Sequence, residues 1–204
     1  MKARIEEATR DTGNGSERGE SRWRVTYWTA VVLVLLAPLV AMQFTDEMNW
    51  TVFDFAFAGV ALLGVGLSFE IVVRKTSDGT YRIAAGVALA AALLLVWLNG
   101  AVGIIGSEAN DVNLLYYGVL VAGGVGTLVA RFRARGMARA MAVTALAQAA
   151  IAAGALVAGL ASPQSGPFEI VALNGFFVAL WIGSAVLFRK AARERSPAGA
   201  GPEG

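Results

Sequence analysis

Long apolar runs separated by short polar stretches dominate the chain from residue 28 onward. An α-helix needs roughly 20 residues to cross the hydrocarbon core of a bilayer, and runs of about this length recur six times. The six predicted spans are residues 28–44, 50–73, 83–105, 114–130, 140–160 and 170–188. Because every backbone polar group in lipid needs an internal partner, the pattern predicts an all-α, polytopic membrane protein.

The basic residues determine the predicted orientation of these spans. All 17 Lys and Arg residues fall in four segments, which are the N-terminus up to Arg24 and residues 74–82, 131–139 and 189–195. Basic residues are retained on the cytoplasmic side during insertion, and the segments between these four contain acidic residues but no basic one. The alternation predicts three helical hairpins with both termini in the cytoplasm. The Ala-, Gly- and Arg-rich composition is typical of a bacterial protein, so the predicted location is the bacterial inner membrane.

Both ends of the chain are predicted to be disordered. Residues 1–21 are polar and mixed in charge, so they bury too little apolar surface to offset the entropy lost on ordering. Residues 196–204 are rich in Pro and Gly. The predicted organisation is therefore a cytoplasmic tail at 1–21, a six-helix transmembrane domain at 22–195, and a second cytoplasmic tail at 196–204.

Composition excludes several classes of chemistry. The chain has 204 residues, of which 56% are hydrophobic and only 16% charged, which is too apolar for an ordinary soluble domain. It contains no Cys and no His, which excludes disulfides, thiolate nucleophiles, Cys/His zinc sites and His-based triads. We therefore expect no enzyme, no metal site and no cofactor. The formal net charge is +2, but the basic residues lie at helix ends, so the expected partner is the lipid bilayer with its anionic headgroups rather than nucleic acid.

The outer ends of the predicted spans carry carboxylates that face no basic residue. These residues are Asp46, Glu47, Asp54, Glu108, Asp111 and Glu169. Such an outer acidic rim attracts cations, and clusters of oxygen ligands suit hard ions such as calcium or magnesium. However, an outer loop is acidic simply because every basic residue is retained inside, and we favour this second interpretation.

Four further polar residues fall within or beside the apolar runs, and they are Glu70, Asn99, Gln148 and Asn174. A polar group inside a membrane is a candidate functional residue because its burial in lipid is costly. Glu70 precedes Arg74 by four residues, a spacing that predicts an ion pair on the helix surface. Gln148 and Asn99 are expected to hydrogen-bond between helices, and lining a substrate path is the alternative. Asn174 lies near the outer acidic rim in depth. An aromatic belt is expected at the positions of Trp28, Trp50, Tyr81, Tyr116 and Tyr117.

Spans four and six share a pattern of small residues four positions apart. Span four has Gly118, Ala122 and Gly126, and span six has Gly175, Ala179 and Gly183. The likeness indicates successive duplication of one hairpin. Small residues at this spacing let two helix backbones approach closely. The favoured interpretation is packing among the six helices, and the alternative is a homo-oligomeric interface.

Three segments of the chain, residues 44–50 (FTDEMNW), 101–108 (AVGIIGSE) and 130–137 (ARFRARGM), resemble small uncharacterised six-span bacterial inner-membrane proteins. That resemblance implies no established activity. The three-hairpin plan is also similar, in topology, to HdeD-type acid-resistance membrane proteins. We predict a non-enzymatic accessory, structural or stress-response membrane component with a homo-oligomeric or membrane-protein partner. The alternative is a small transporter or channel for a cation or cationic solute that uses the outer acidic rim.

Overall fold

A computed structural model of the chain describes residues 24–45, 49–107, 110–160 and 166–195. The described residues form α-helices and one short 3₁₀ turn, Asp111–Asn113, with no strand among them. The helices are α1 Arg24–Ala41, α2 Val52–Lys75, α3 Gly79–Ala101, α4 Leu114–Val129, α5 Ala134–Val157 and α6 Pro167–Glu194. Six segments are long and apolar enough to cross a membrane, which confirms the all-α, six-span prediction. The predicted tails, 1–21 and 196–204, lie outside the described residues.

Two helices extend well past the apolar runs from which they were predicted. The α5 helix begins at Ala134 rather than at residue 140, and α6 continues to Glu194 rather than ending at residue 188. An apolar run marks only the part of a helix that lies in hydrocarbon. The helical backbone hydrogen bonds continue into the membrane interface, where Arg side chains reach water. The basic residues of these two segments therefore lie on helices as well as in loops.

The packing divides the chain within α2, into a unit that ends at Gly66 and a unit that begins at Leu67. In the first unit, α1 packs on α2. The Tyr27 hydroxyl donates a hydrogen bond of 2.6 Å to the Leu62 carbonyl, and the Tyr27 ring lies directly against Gly66. A larger side chain at Gly66 would occupy the position of that ring, so this glycine permits the close approach.

The second unit contains the end of α2, from Leu67, and the helices α3 to α6. The α6 helix packs against both α3 and α5, and α4 packs chiefly on α5. Its core includes Leu95, Tyr116, Phe177 and Phe188, which are all fully buried. Although α3 and α4 follow one another in sequence, each packs mainly on a helix of the α5–α6 pair. The repetition of one hairpin stays a prediction.

One end of the second unit is held together by Asp78 and Arg195. The Asp78 carboxylate accepts hydrogen bonds of 3.0 Å from the Tyr81 N–H, which caps α3, and from the Arg195 Nε. Tyr81 is buried, and its hydroxyl donates to the Phe132 carbonyl at 2.8 Å, so the aromatic-belt prediction is wrong for this residue. Burial favours a higher pKa for Asp78, but the hydrogen bonds from Tyr81 and Arg195 outweigh it and hold the pKa below its usual range.

At the opposite end, Asn113 organises the connection between α3 and α4. Its Oδ1 accepts from the N–H groups of Ile104 and Ile105 at 3.1 and 3.0 Å, and its Nδ2 donates to the Ser107 carbonyl at 2.8 Å. Gly103 has a φ of 74°, and an added Cβ there would lie 2.6 Å from the Ser107 backbone. A single buried amide thus satisfies the backbone of a loop that turns at a glycine.

Candidate functional site

Three helices of the second unit each contribute one side chain to a hydrogen-bonded polar group in its interior. These are Tyr116 on α4, Gln148 on α5 and Asn174 on α6, and each is at most 1% exposed. Asn174 lies at the centre, because its Oδ1 accepts from the Tyr116 hydroxyl at 3.0 Å and from the Gln148 Nε2 at 3.0 Å. Its own Nδ2 donates to the Ile170 carbonyl at 2.9 Å. The result is a buried polar cluster that links α4, α5 and α6.

Some polar atoms of this interior have no hydrogen-bond partner among the described residues. They are the Gln148 Oε1, the Asn99 Oδ1 and the Trp181 Nε1. The orientation of the Gln148 amide is determined by its neighbour, since exchanging its oxygen and nitrogen would set two acceptors against each other at Asn174. Buried polar groups normally find a partner, which is often an ordered water. These three atoms therefore retain hydrogen-bonding capacity that no described side chain uses.

The cluster is neutral, which limits its chemistry. Among the described residues, every buried Asn, Gln, Thr, Ser and Tyr side chain is uncharged, and no Asp, Glu, Lys or Arg is buried. General acid–base catalysis needs a group that titrates near the working pH, and amides do not. What these side chains can do is orient hydrogen bonds and hold helices in register.

Sequence reasoning found two members of the cluster and missed the third. Gln148 is predicted to hydrogen-bond between helices, and its Nε2 does so with Asn174. Asn174 is predicted only as a polar residue near the depth of the outer acidic rim. Tyr116 was assigned to an aromatic belt, which is wrong because the residue is fully buried. A signal existed in the sequence, since a tyrosine with its apolar ring and polar hydroxyl suits a buried position beside an amide. Nothing in one sequence indicated that Asn174 was that amide.

The outer acidic rim is not assembled into a site among the described residues. Asp46, Glu47 and Glu108 lie outside them. Asp111 and Glu169 are exposed at the starts of the 3₁₀ turn and of α6. No group of three or more His, Cys, Asp or Glu residues in the described part of the chain is placed to hold a metal ion. The cation-attracting rim stays a prediction.

Asp54 has a local structural role in the first unit. Its Oδ2 accepts from the Thr51 N–H at 2.7 Å and from the Thr51 Oγ1 at 2.8 Å. The Asp54 N–H in turn approaches the Thr51 Oγ1 at 3.4 Å, so the two residues form a reciprocal cap at the start of α2. An anionic group there also complements the positive end of the helix dipole.

Glu70 forms the ion pair that its spacing predicted. The Arg74 Nη2 lies 2.6 Å from the Glu70 Oε1, one helical turn along α2. The Arg74 side chain is 71% exposed, which places the pair on the helix surface. The arrangement is a surface pair of the kind that contributes little to stability.

The two small-residue stripes have different surroundings. On α4, an added Cβ at Gly126 would lie 2.9 Å from the Ala140 Cβ, so this glycine is where α4 and α5 approach closely. On α6, an added Cβ at Gly175 or Gly183 would meet no described atom within 4 Å, and Ala179 is exposed. Gly118 and Ala122 lie exposed and half-buried on α4. The α6 stripe, defined as Gly175, Ala179 and Gly183, therefore faces away from the packed interior of the second unit.

Comparison with models of known protein families finds no match, and neither the curated proteins nor the solved structures include a significantly similar chain. The topological resemblance to HdeD-type proteins accordingly stays a prediction.

Proposed function

We propose that this chain is a multi-pass integral protein of the bacterial inner membrane, with both termini in the cytoplasm. Its proposed role is that of a non-enzymatic accessory, structural or stress-response component that associates with a membrane-protein partner or with a second copy of itself. The observation that carries the proposal is the uncovered α6 stripe of Gly175, Ala179 and Gly183.

The contrast between the interior and the α6 stripe supports this role. The interior of the second unit is filled by large side chains such as Phe177 and Phe188 and by the neutral buried polar cluster. The α6 stripe offers small residues at a spacing of four, which is the arrangement through which helices associate in lipid by close backbone contact. Lipid gives no hydrophobic driving force for association, so helix association within the membrane depends mainly on how closely the helix surfaces fit together.

A native pull-down in mild detergent tests the association. Replacing Gly183 or Gly175 with Ile adds bulk to the α6 stripe, and an added Cβ at either position meets no described atom within 4 Å, so the fold should tolerate the change. We expect either variant to lose most of the co-purifying partner, or of the self-associated form on native gels, while inserting normally. The matched control is Gly154→Ile on α5, which also opens onto free space and should leave association unchanged. Association that survives both α6 substitutions would contradict the proposal.

The orientation has its own test. Reporter fusions should place the α3–α4 connection, around residues 106–113, outside the cytoplasm and both termini inside it, because basic residues flank the other ends of the helices. A cytoplasmic signal from a fusion in that connection would contradict the orientation but leave the association test unaffected.

A small transporter or channel for a cation or cationic solute is the second candidate. The unpartnered Gln148 Oε1 and Asn99 Oδ1 favour it, because unsatisfied polar atoms inside a membrane often mark a path for a solute. In reconstituted vesicles, a transporter should produce solute flux that falls in Gln148→Leu, Asp54→Asn or Glu108→Gln. Equal flux in vesicles with and without the protein would count against this candidate.

A further inference from the structure

A groove of about 470 Å³ runs between α5 and α6, at the end of the second unit where α5 begins and α6 ends. Four exposed arginines line it: Arg135, Arg139, Arg189 and Arg193. On each helix the two arginines are one turn apart, so their side chains lie on the same face. The lining residues include no acidic one, which gives the groove a strongly positive charge.

Beyond the arginines the groove continues along apolar side chains. Ala142 on α5 and Ile182 and Val186 on α6 line this part, which lies closer to the middle of each helix. The small Ala142 leaves room between the two helices. The groove, called the arginine groove below, is thus charged at the helix ends and apolar towards the membrane core.

We propose that the arginine groove binds an anionic phospholipid. A guanidinium donates paired hydrogen bonds that match the oxygens of a phosphate, and arginine is favoured over lysine for such recognition. The apolar part of the groove then contacts the upper part of the acyl chains. Basic pockets between helices at a membrane surface hold anionic headgroups by this combination. The inference rests on the proposed membrane location and is independent of the partner assigned to the α6 stripe.

The charge pattern also distinguishes between phospholipids. A zwitterionic lipid such as phosphatidylcholine brings a positive headgroup charge towards the arginines, which repel it, whereas phosphatidylglycerol brings no positive charge. Like charges one turn apart on a helix repel each other and destabilise it. A phosphate held by Arg139 and Arg189 offsets part of the repulsion within the pairs Arg135/Arg139 and Arg189/Arg193, so binding should stabilise the fold as well as fill the groove.

The test is lipid binding to the full-length protein, purified in mild detergent and followed by native mass spectrometry. The probes are phosphatidylglycerol and phosphatidylcholine with matched acyl chains. We expect phosphatidylglycerol to bind more tightly, and to raise the thermal unfolding temperature where phosphatidylcholine does not. Replacing both Arg139 and Arg189 with Gln should weaken phosphatidylglycerol binding roughly 30-fold, since each interfacial basic residue contributes about 1 kcal/mol.

Two further variants separate the arginine groove from general basic charge. Arg131→Gln with Lys190→Gln removes two positive charges from neighbouring positions that do not line the groove, and should change binding by less than about threefold. Ala142→Trp fills the apolar part of the groove without changing charge and should also weaken binding. Each variant is compared at unchanged helical content by circular dichroism.

Several results would overturn the inference. They are equal binding of the two lipids, equal loss in the groove and control pairs, unchanged binding in Ala142→Trp, and full displacement of the lipid by inorganic phosphate. The last result would identify a soluble phosphate compound as the ligand. Failure of the membrane location would be distinguishable, because the protein would then be recovered from the soluble fraction of cells.

Discussion

At the scale of single residues, the buried amides determine how the second unit is assembled. The Asn174 Oδ1 is the common acceptor for Tyr116 on α4 and Gln148 on α5, so one atom links three helices. In lipid, polar contacts of this kind contribute modestly when made, about 0.6 kcal/mol each on average. Leaving a buried donor without a partner costs more, about 1–3 kcal/mol. The main effect of the cluster is therefore on which helix faces meet, and its contribution to stability is smaller.

Replacing Asn174 with Leu should lower the free energy of unfolding by about 1–3 kcal/mol, because the Tyr116 hydroxyl and the Gln148 amide both lose their acceptor. Tyr116→Phe should cost less, since it removes one donor and leaves the Gln148 bond in place. Combining Asn174→Leu with Tyr116→Phe and Gln148→Leu should recover much of the loss. Unfolding in mixed micelles, followed by circular dichroism, measures all of these variants. An Asn174→Leu protein as stable as the wild type would show that the cluster is not a link between helices.

At the scale of whole helices, similar sequence patterns have different surroundings. The stripes on α4 and α6 have the same spacing, yet of their glycines only Gly126 on α4 has the space of an added Cβ occupied by a neighbouring helix, at Ala140. A pattern of small residues makes close approach feasible but does not specify the partner. A pattern of basic residues likewise does not specify which of them lie together in the fold. Arg139 and Arg189 are read from sequence as parts of basic segments that stop the spans, and the extension of α5 and α6 places them on facing helices.

Replacing Gly126 with Leu should therefore separate α4 from α5 and lower the free energy of unfolding by about 1–3 kcal/mol through overpacking. Gly118→Leu is the matched control in the same helix, because an added Cβ at Gly118 meets no described atom within 4 Å. It should be neutral or slightly stabilising, since Leu is a better helix former than Gly. Unfolding in mixed micelles measures both variants, and equal destabilisation by the two changes would contradict this account of α4.

At the scale of the second unit, contacts between residues far apart in sequence close one end. Arg195 near the end of α6 pairs with Asp78 at the start of α3, a separation of 117 residues, and its guanidinium also lies 5.1 Å from the Tyr81 ring. The Lys75 ammonium lies over the Phe132 ring at 4.2 Å, which brings the turn between α4 and α5 into the same group of contacts. These contacts lie outside or at the ends of the spans, where water can reach them.

The stability of this end should depend on pH through Asp78. Its pKa in the folded protein lies below that of an unfolded aspartate, so its contribution is complete above about pH 4 and is lost as the pH falls through the lower folded value. We expect Asp78→Asn to lower stability by about 0.5–1 kcal/mol at pH 7 and to have a smaller effect at pH 3. Glu194→Gln, which removes the same charge from the exposed Lys190 pair, is the control and should have little effect at either pH. Thermal unfolding in detergent measures the difference in stability between each variant and the wild type at the two pH values. An effect of Asp78→Asn that does not shrink at low pH would contradict the pairing of Asp78 with Arg195.

Much of the fold could be predicted because membrane insertion imposes strong rules on a sequence. Apolar length gave the six helices and spacing gave the Glu70–Arg74 pair, and both depend only on local geometry. The burial of Tyr116 could not be predicted in the same way, because a residue near a span end can face either lipid or protein. The role of Asn113 in the α3–α4 connection could not be predicted either, because its hydrogen bonds depend on the path that the loop takes back to it.

The sequence by itself determined the helical class, the number of spans and the predicted orientation, because the bilayer selects for apolar length and for the side on which basic charge is kept. Only the tertiary structure decided that α6 packs against both α3 and α5, that Asn174 is shared by two donors, and that four arginines from two segments line one groove. The physical reason is that lipid is as apolar as the helices themselves. Hydrophobicity therefore places a helix in the membrane, but shape, buried hydrogen bonds and charge at the helix ends choose its neighbours.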